Sequence, residues 1–142
     1  MIVISSCLIG KKCRYNGSDS LDVRLIEELD DYIDVCPELL GGFGTPRPPC
    51  EIVEGGAKDV LEGRGKVADI NGRNITQDMV KGAMLALELC KRNGVKKAYL
   101  KKNSPTCGCG EIYDGSFSGT LKDGNGIFAE LLMMSGIEVR AV

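Results

Sequence analysis

The sequence predicts an α/β fold, a single domain over residues 1–142 built on a mostly parallel sheet flanked by helices. Three observations predict it. Short β-branched runs alternate with amphipathic helical segments along the chain. The best of those runs end at Gly- or Pro-containing loops rather than at two-residue hairpin turns. A length of 142 residues matches one hydrophobic core. Strands joined through helices form right-handed crossovers, and such sheets take ligands at the carboxyl ends of their strands.

Residues 1–4, MIVI, read as a buried strand that stops at Ser5, Ser6 and Cys7. A loop follows to about residue 18. Over 18–31 the apolar residues Leu21, Leu25, Ile26 and Leu29 recur at helical spacing, with Ser18 or Ser20 as cap. Residues 32–36 are again short and β-prone, and Pro37 stops them. GGFGTPRPPC at 41–50 carries three prolines and three glycines, so an ordered, irregular loop is expected. Strand candidates follow at 51–54 and 66–70. The strongest helix covers 76–93, with Met79, Val80, Ala83, Met84, Leu87 and Cys90 as its apolar stripe, Leu85 and Leu89 widening it and Gly94 ending it. A strand at 95–100 runs into SPTCGCG at 104–110, where Pro105 and the glycines forbid its continuation. A last helix over 125–135 buries Phe128, Leu131 and Leu132 and ends at Gly136, before a terminal strand at 137–142.

Composition narrows the function. No apolar run reaches membrane-span length, and the mean hydropathy of −0.04 is that of a globular chain. A net charge of −2 opposes a broad nucleic-acid footprint, which needs a surplus of Lys and Arg. The chain has no histidine, which removes Ser-His-Asp and Cys-His nucleophilic sites and histidine-ligated zinc. Acid–base work falls to Glu, Asp, Lys, Tyr, Cys or water. The seven cysteines follow no secretory signal, so a reduced, cytoplasmic setting is expected.

Three predicted strands end at Cys7, Cys36 and Cys107, which a parallel sheet would gather at one edge as a three-thiolate site. Cys90, on the helical stripe, reads as core. Paired zinc knuckles are absent. Scattered thiolates suit an iron–sulfur cluster with one iron not ligated by protein, a soft Lewis acid that prefers sulfur. Glu38 and Ser104 lie within three residues of two of these cysteines and are candidates for the same site. Arg47 in the PRPP segment reads as a rigidly held cation facing an anion or a carbonyl. Two other classes stay open: a non-catalytic zinc or iron–sulfur binding protein, and a thiol redox protein using the Cys107-x-Cys109 pair.

The segments SSCLIGKKCRYNG at 5–17, CPELLGGFGTPRPPCEI at 36–52 and LKKNSPTCGCG at 100–110 closely resemble the DUF523 family, which includes the thiouracil desulfidases. The resemblance implies a Rossmann-like domain with a 4Fe-4S cluster on Cys7, Cys36 and Cys107 and the fourth iron free for substrate sulfur. It implies non-redox desulfuration of thiouracil-type nucleobases or nucleosides, in which water replaces the sulfur and sulfide leaves. Glu38 would be the proton carrier and Ser104 a hydrogen-bonding or relay group. The implied partner is a small thiolated pyrimidine, with tRNA disfavoured by the acidic balance and no membrane involved. Cys13, Cys50 and Cys109 depart from the family pattern, and Cys109 is the expected candidate for closing the open iron.

Overall fold

The computed structural model of the protein describes residues 1–142. Four parallel strands form the main sheet, β1 (Ile2–Ser5), β2 (Tyr32–Val35), β5 (Lys97–Leu100) and β8 (Glu138–Ala141), in the order β2-β1-β5-β8. One face carries Val3, Ala98 and Leu100 into a 22-residue apolar core shared with helices α4 (Thr76–Arg92) and α5 (Ile127–Met134). The other face buries Ile4 with Leu8, Cys7, Cys13 and Leu25. This two-sided burial explains why the strands are apolar runs rather than alternating ones. No helix is long and apolar enough to cross a membrane.

The first helix is shorter than its periodicity predicts. Only Val23–Glu27 is helical, as α1, and its cap is Asp22, whose side chain accepts from Leu25 N–H at 3.0 Å. The chain before it spends its backbone elsewhere: Ser20 N–H donates to Cys7 O and Asp22 N–H to Leu8 O, each at 2.8 Å. Leu21 and Val23 stay exposed in consequence. Pro37 ends β2 as predicted, and it also opens a short helix, α2 (Pro37–Leu40), at a position where its missing N–H costs nothing. The strand candidates near 51–54 and 66–70 pair antiparallel as β3 (Cys50–Glu54) and β4 (Lys66–Asp69), with α3 (Ala57–Leu61) between them. A second hairpin, β6 (Glu111–Tyr113) with β7 (Leu121–Asp123), was not predicted, because its strands are three residues long and β7 is exposed throughout.

Helix α4 buries Met79, Gly82, Ala83, Ala86, Leu87 and Cys90, whereas Met84, Leu85 and Leu89 face solvent. The buried face is therefore the small-residue side, one position away from part of the expected stripe. The reason is α2, which crosses α4 backbone to backbone. A Cβ on Gly82 would collide with Pro37 O and come within 2.8 Å of Gly41 N. Gly82→Ala is expected to destabilise the fold by about 1–3 kcal/mol in urea unfolding despite the better helix propensity of alanine, since neither backbone can give way. A change below about 0.5 kcal/mol would show that the crossing is looser than it looks.

Candidate active site

In the main sheet Ser5 pairs with Val35 and Ile4 with Tyr99, so the carboxyl ends of β1, β2 and β5 lie side by side. The chain passes from β1 to β2 on one side and later returns to β5 on the other. That reversal makes the end of β1 the topological switch point of the sheet, where ligands of open α/β sheets bind. A cavity of 360 Å³ opens there.

Each strand end delivers one thiol to it. Cys7 sits on a 3-10 turn at Ser6–Ile9, closed by Gly10 in the left-handed region. Ser6 Oγ donates to Asp34 Oδ2 at 2.7 Å and Lys11 pairs with the same oxygen at 2.6 Å, which ties this turn to β2. Cys36 precedes α2 as its N-cap residue. Cys107 follows β5 on a loop held by Ser104, whose Oγ accepts from Cys107 N–H at 2.7 Å, and by the start of α5, where Phe128 N–H donates to Thr106 O at 2.9 Å. Glu38 and Ser104 also line the cavity, so the five residues singled out from sequence are brought together.

Two further thiols join them, and they are not the one expected. Cys13 and Cys50 line the cavity, while Cys109 does not. Gly108 and Gly110 turn the chain away directly after Cys107; Gly108 is packed against Ser104 O and Ile112, and Gly110 has φ 87°. Cys90 is fully buried in the core, as expected. All seven cysteines are free thiols. Sequence reasoning also missed Ser5, which lines the cavity and whose Oγ accepts from Lys101 N–H at 3.0 Å.

The thiols are unequal. A hydrogen bond from Cys13 holds Cys7 below the usual thiol range, with Lys101 assisting against burial. Cys13 is drawn down by Cys36, yet its bond to Cys7 and its burial push it up to about 11. Cys36 is raised by its bond with Cys13 and by burial. Burial raises Cys107 to about 12, and the Ser5 and Ser104 hydroxyls offset part of that. Burial and the Glu38 carboxylate raise Cys50. A cavity of buried, mostly neutral thiols is a poor place for bare thiolates and a suitable one for thiolates whose charge a metal neutralises. No three Cys, Asp or Glu side chains converge tightly enough for one metal ion, although a single zinc would draw its thiolates to about 2.3 Å of one centre. Thiols delivered to one cavity from separate strand ends are a donor set of the kind that iron–sulfur clusters use.

Glu38 is held from both sides. Arg47 Nη2 pairs with its Oε2 at 3.1 Å, and the Cys50 thiol donates to Oε1 at 3.5 Å. Arg47 is almost fully buried; it also bonds Cys13 O at 2.8 Å and Gly44 O at 3.1 Å, and its Nε has no partner. At the rim, Arg14, Lys101 and Lys102 gather without forming any ion pair. Burial, then Arg14 and Lys102, hold Lys101 below the usual lysine range.

A thiol-ringed cavity with a braced carboxylate, at the switch point of a parallel sheet, defines an α/β protein whose candidate active site suits metal–sulfur chemistry. The family model of 2-thiouracil desulfurase matches residues 2–141, and the chain belongs to that family. An uncharacterized Bacillus subtilis (strain 168) protein, YbbK, is 43% identical over 141 residues, covering 98% of this chain and 93% of its own. The solved structure of the 4Fe-4S-dependent thiouracil desulfidase TudS (DUF523Vcz) superposes with a TM-score of 0.86 at 36% identity, over 99% of this chain and 89% of that one. The α/β class and the family resemblance read from sequence both stand.

The tie between the Cys7 turn and β2 has a pH signature. Burial works against the Asp34 charge, but Lys11 and Ser6 outweigh it and hold the carboxyl below its ordinary 3.8. A depressed native value stabilises above the unfolded one and is lost as pH falls below it. Asp34→Asn should cost about 1 kcal/mol in urea unfolding at pH 7 and at pH 5, and distinctly less at pH 3.5. A cost unchanged across that range would mean the carboxylate charge plays no part.

Proposed function

We propose that the protein is a cluster-dependent, non-redox desulfidase of small thiolated pyrimidines, acting as one domain over residues 1–142. The observation that carries this is the convergence of Cys7, Cys36 and Cys107, from three adjacent strand ends, on one cavity that also contains Glu38. These three thiolates would hold a 4Fe-4S cluster and leave one iron without a protein ligand. When bound, such a cluster supplies a soft Lewis acid that makes the thiocarbonyl sulfur a better leaving group.

The protein's own groups handle the proton and the substrate. Glu38, with Oε2 fixed by Arg47 and Oε1 accepting only a long bond from the Cys50 thiol, would take the attacking water's proton on Oε1. Ser104 Oγ accepts from Cys107 N–H and its hydroxyl also favours the Cys107 thiolate, so it would act on the substrate as a relay beside that ligand. The water oxygen replaces sulfur on carbon, sulfide leaves, and no electrons are exchanged with an outside donor. The unpaired cations Arg14, Lys101 and Lys102 favour a substrate carrying an anionic group, such as a thiolated nucleotide, over the free base. The net charge of −2 is against tRNA.

A second reading rests on Cys13. As a fourth thiol beside Cys7 and Cys36 it would complete the ligand set of a closed iron–sulfur centre, which binds without catalysing. The thiol redox reading rests on the Cys107-x-Cys109 pair, both of them free thiols, with Cys109 outside the cavity.

Anaerobic reconstitution tests both. The desulfidase reading expects the iron and acid-labile sulfide of one 4Fe-4S cluster, with sulfide released from 4-thiouracil and faster from 4-thiouridine 5′-monophosphate. Cys7→Ala, Cys36→Ala and Cys107→Ala should each lose the cluster, whereas Cys13→Ala keeps it. Glu38→Gln should retain the iron and lower kcat by about 10²–10⁴-fold. Iron retained by all three ligand variants would sink the proposal; a full cluster without turnover, lost on Cys13→Ala, would establish the closed centre instead.

A further inference from the structure

The desulfidase reading assigns no role to Glu51, a carboxylate only 7% exposed that lines the same cavity. Its Oε1 accepts two backbone hydrogen bonds from a distant loop, from Gly115 N–H at 2.9 Å and Phe117 N–H at 3.2 Å. That loop, residues 114–120, joins β6 to β7 and is ordered by a chain of hydroxyls: Ser116 bonds Asp114, Ser118 bonds Ser116, and Thr120 bonds Ser118. Gly115 lies so close to β3 that a Cβ there would come within 2.6 Å of Ile52 O. The loop is thus pinned at its base and stiffened along its length.

What the pin holds is unusual. Asn103 and Phe117 are the only non-glycine residues with positive φ, and both line the cavity. Phe117 has φ 56°, a conformation that a bulky side chain adopts only when its surroundings impose it. Phe117 lines the cavity together with Tyr15, Ile70 and Tyr113, three large side chains that are exposed to solvent. Charged groups at the rim and apolar groups within it make a wall suited to a flat, polar-edged ring.

We propose that Phe117 is the stacking wall that binds the pyrimidine ring and that Glu51 is the positioning residue that holds it in place. The inference rests on the proposed substrate class and deepens it. Stacking of a base on an aromatic ring is sequence-tolerant, because every base presents a π face. Phe117 therefore supplies affinity for the ring, while discrimination between thiolated and oxo forms is left to the thiol end of the cavity. Glu51 acts through the two N–H bonds alone and touches no substrate atom.

The chain contains no tryptophan, so Phe117→Trp introduces a single tryptophan at the proposed wall, excited selectively over the four tyrosines. Uridine 5′-monophosphate should quench it saturably in the cluster-free protein, and adding Glu51→Ala should weaken that binding about tenfold. In the reconstituted enzyme, Phe117→Ala should raise KM for 4-thiouridine 5′-monophosphate about tenfold with kcat within about twofold, the signature of lost ring binding. Phe117→Tyr should restore KM. Glu51→Gln, whose amide oxygen can still accept both N–H bonds, should stay near wild type, whereas Glu51→Ala should match Phe117→Ala and add little to it in the double variant. An unchanged KM in Phe117→Ala, additive effects of the two alanine variants, or a loss confined to kcat in Glu51→Ala would each overturn the proposal. Sulfide release that proceeds normally beside an unquenched reporter refutes the wall and leaves the desulfidase intact. Saturable quenching in a protein that releases no sulfide from any thiopyrimidine supports the wall and refutes the desulfidase.

Discussion

Everything at the site depends on β1 being paired in parallel on both sides, with β2 and with β5. Because the three strands run the same way and end level with one another, residues 7, 36 and 107 emerge from one edge of the sheet. A slip of one residue in either pairing would turn the strand's core-facing side chains to the other face. What prevents the slip is burial: Val3 and Ala98 are fully enclosed beneath α4 and α5, and Ile4 is fully enclosed on the opposite side. The hydrophobic core thereby sets the geometry of a site in which it takes little part.

The site itself opposes folding. It contains buried thiols, a nearly buried arginine with an unpaired Nε, a cluster of like charges at the rim and a phenylalanine at positive φ. Each of these costs free energy on its own. They persist because the structure around them is over-determined: Arg47 is gripped by two backbone carbonyls and Glu38, and the Cys107 loop is bonded into the first turn of α5. Local disagreement with folding preference, supported from elsewhere, is how proteins mark functional sites.

The cavity lining brings thiols, a carboxylate and cations together. The bond with Cys13 and burial raise the Cys36 thiol, burial raises Cys107, and Cys7 leans toward the thiolate. Arg14, Lys101 and Lys102 line the cavity without carboxylate partners, and Lys101 lies near enough to Cys7 to favour its thiolate. Glu38 has one oxygen committed to Arg47 and the other toward Cys50.

The sequence by itself determined the alternation of strands and helices, the strand ends at Cys7, Cys36 and Cys107, and the family motifs around them, because these rest on local periodicity and on Pro and Gly punctuation. It misjudged α1, where 18–22 bonds to the Cys7 turn instead of coiling, and the face of α4, where contact with α2 selects Gly82 and Ala86 over Met84. Which extra thiols enter the cavity was likewise decided by tertiary structure. Cys109 is two residues from a proposed ligand yet is turned away by glycines, while Cys13 and Cys50 arrive from distant loops. The same holds for Glu51 and Phe117, 66 residues apart in the chain and joined by one hydrogen bond. Periodicity reports which residues want burial; only the packing of one element on another decides which distant side chains meet.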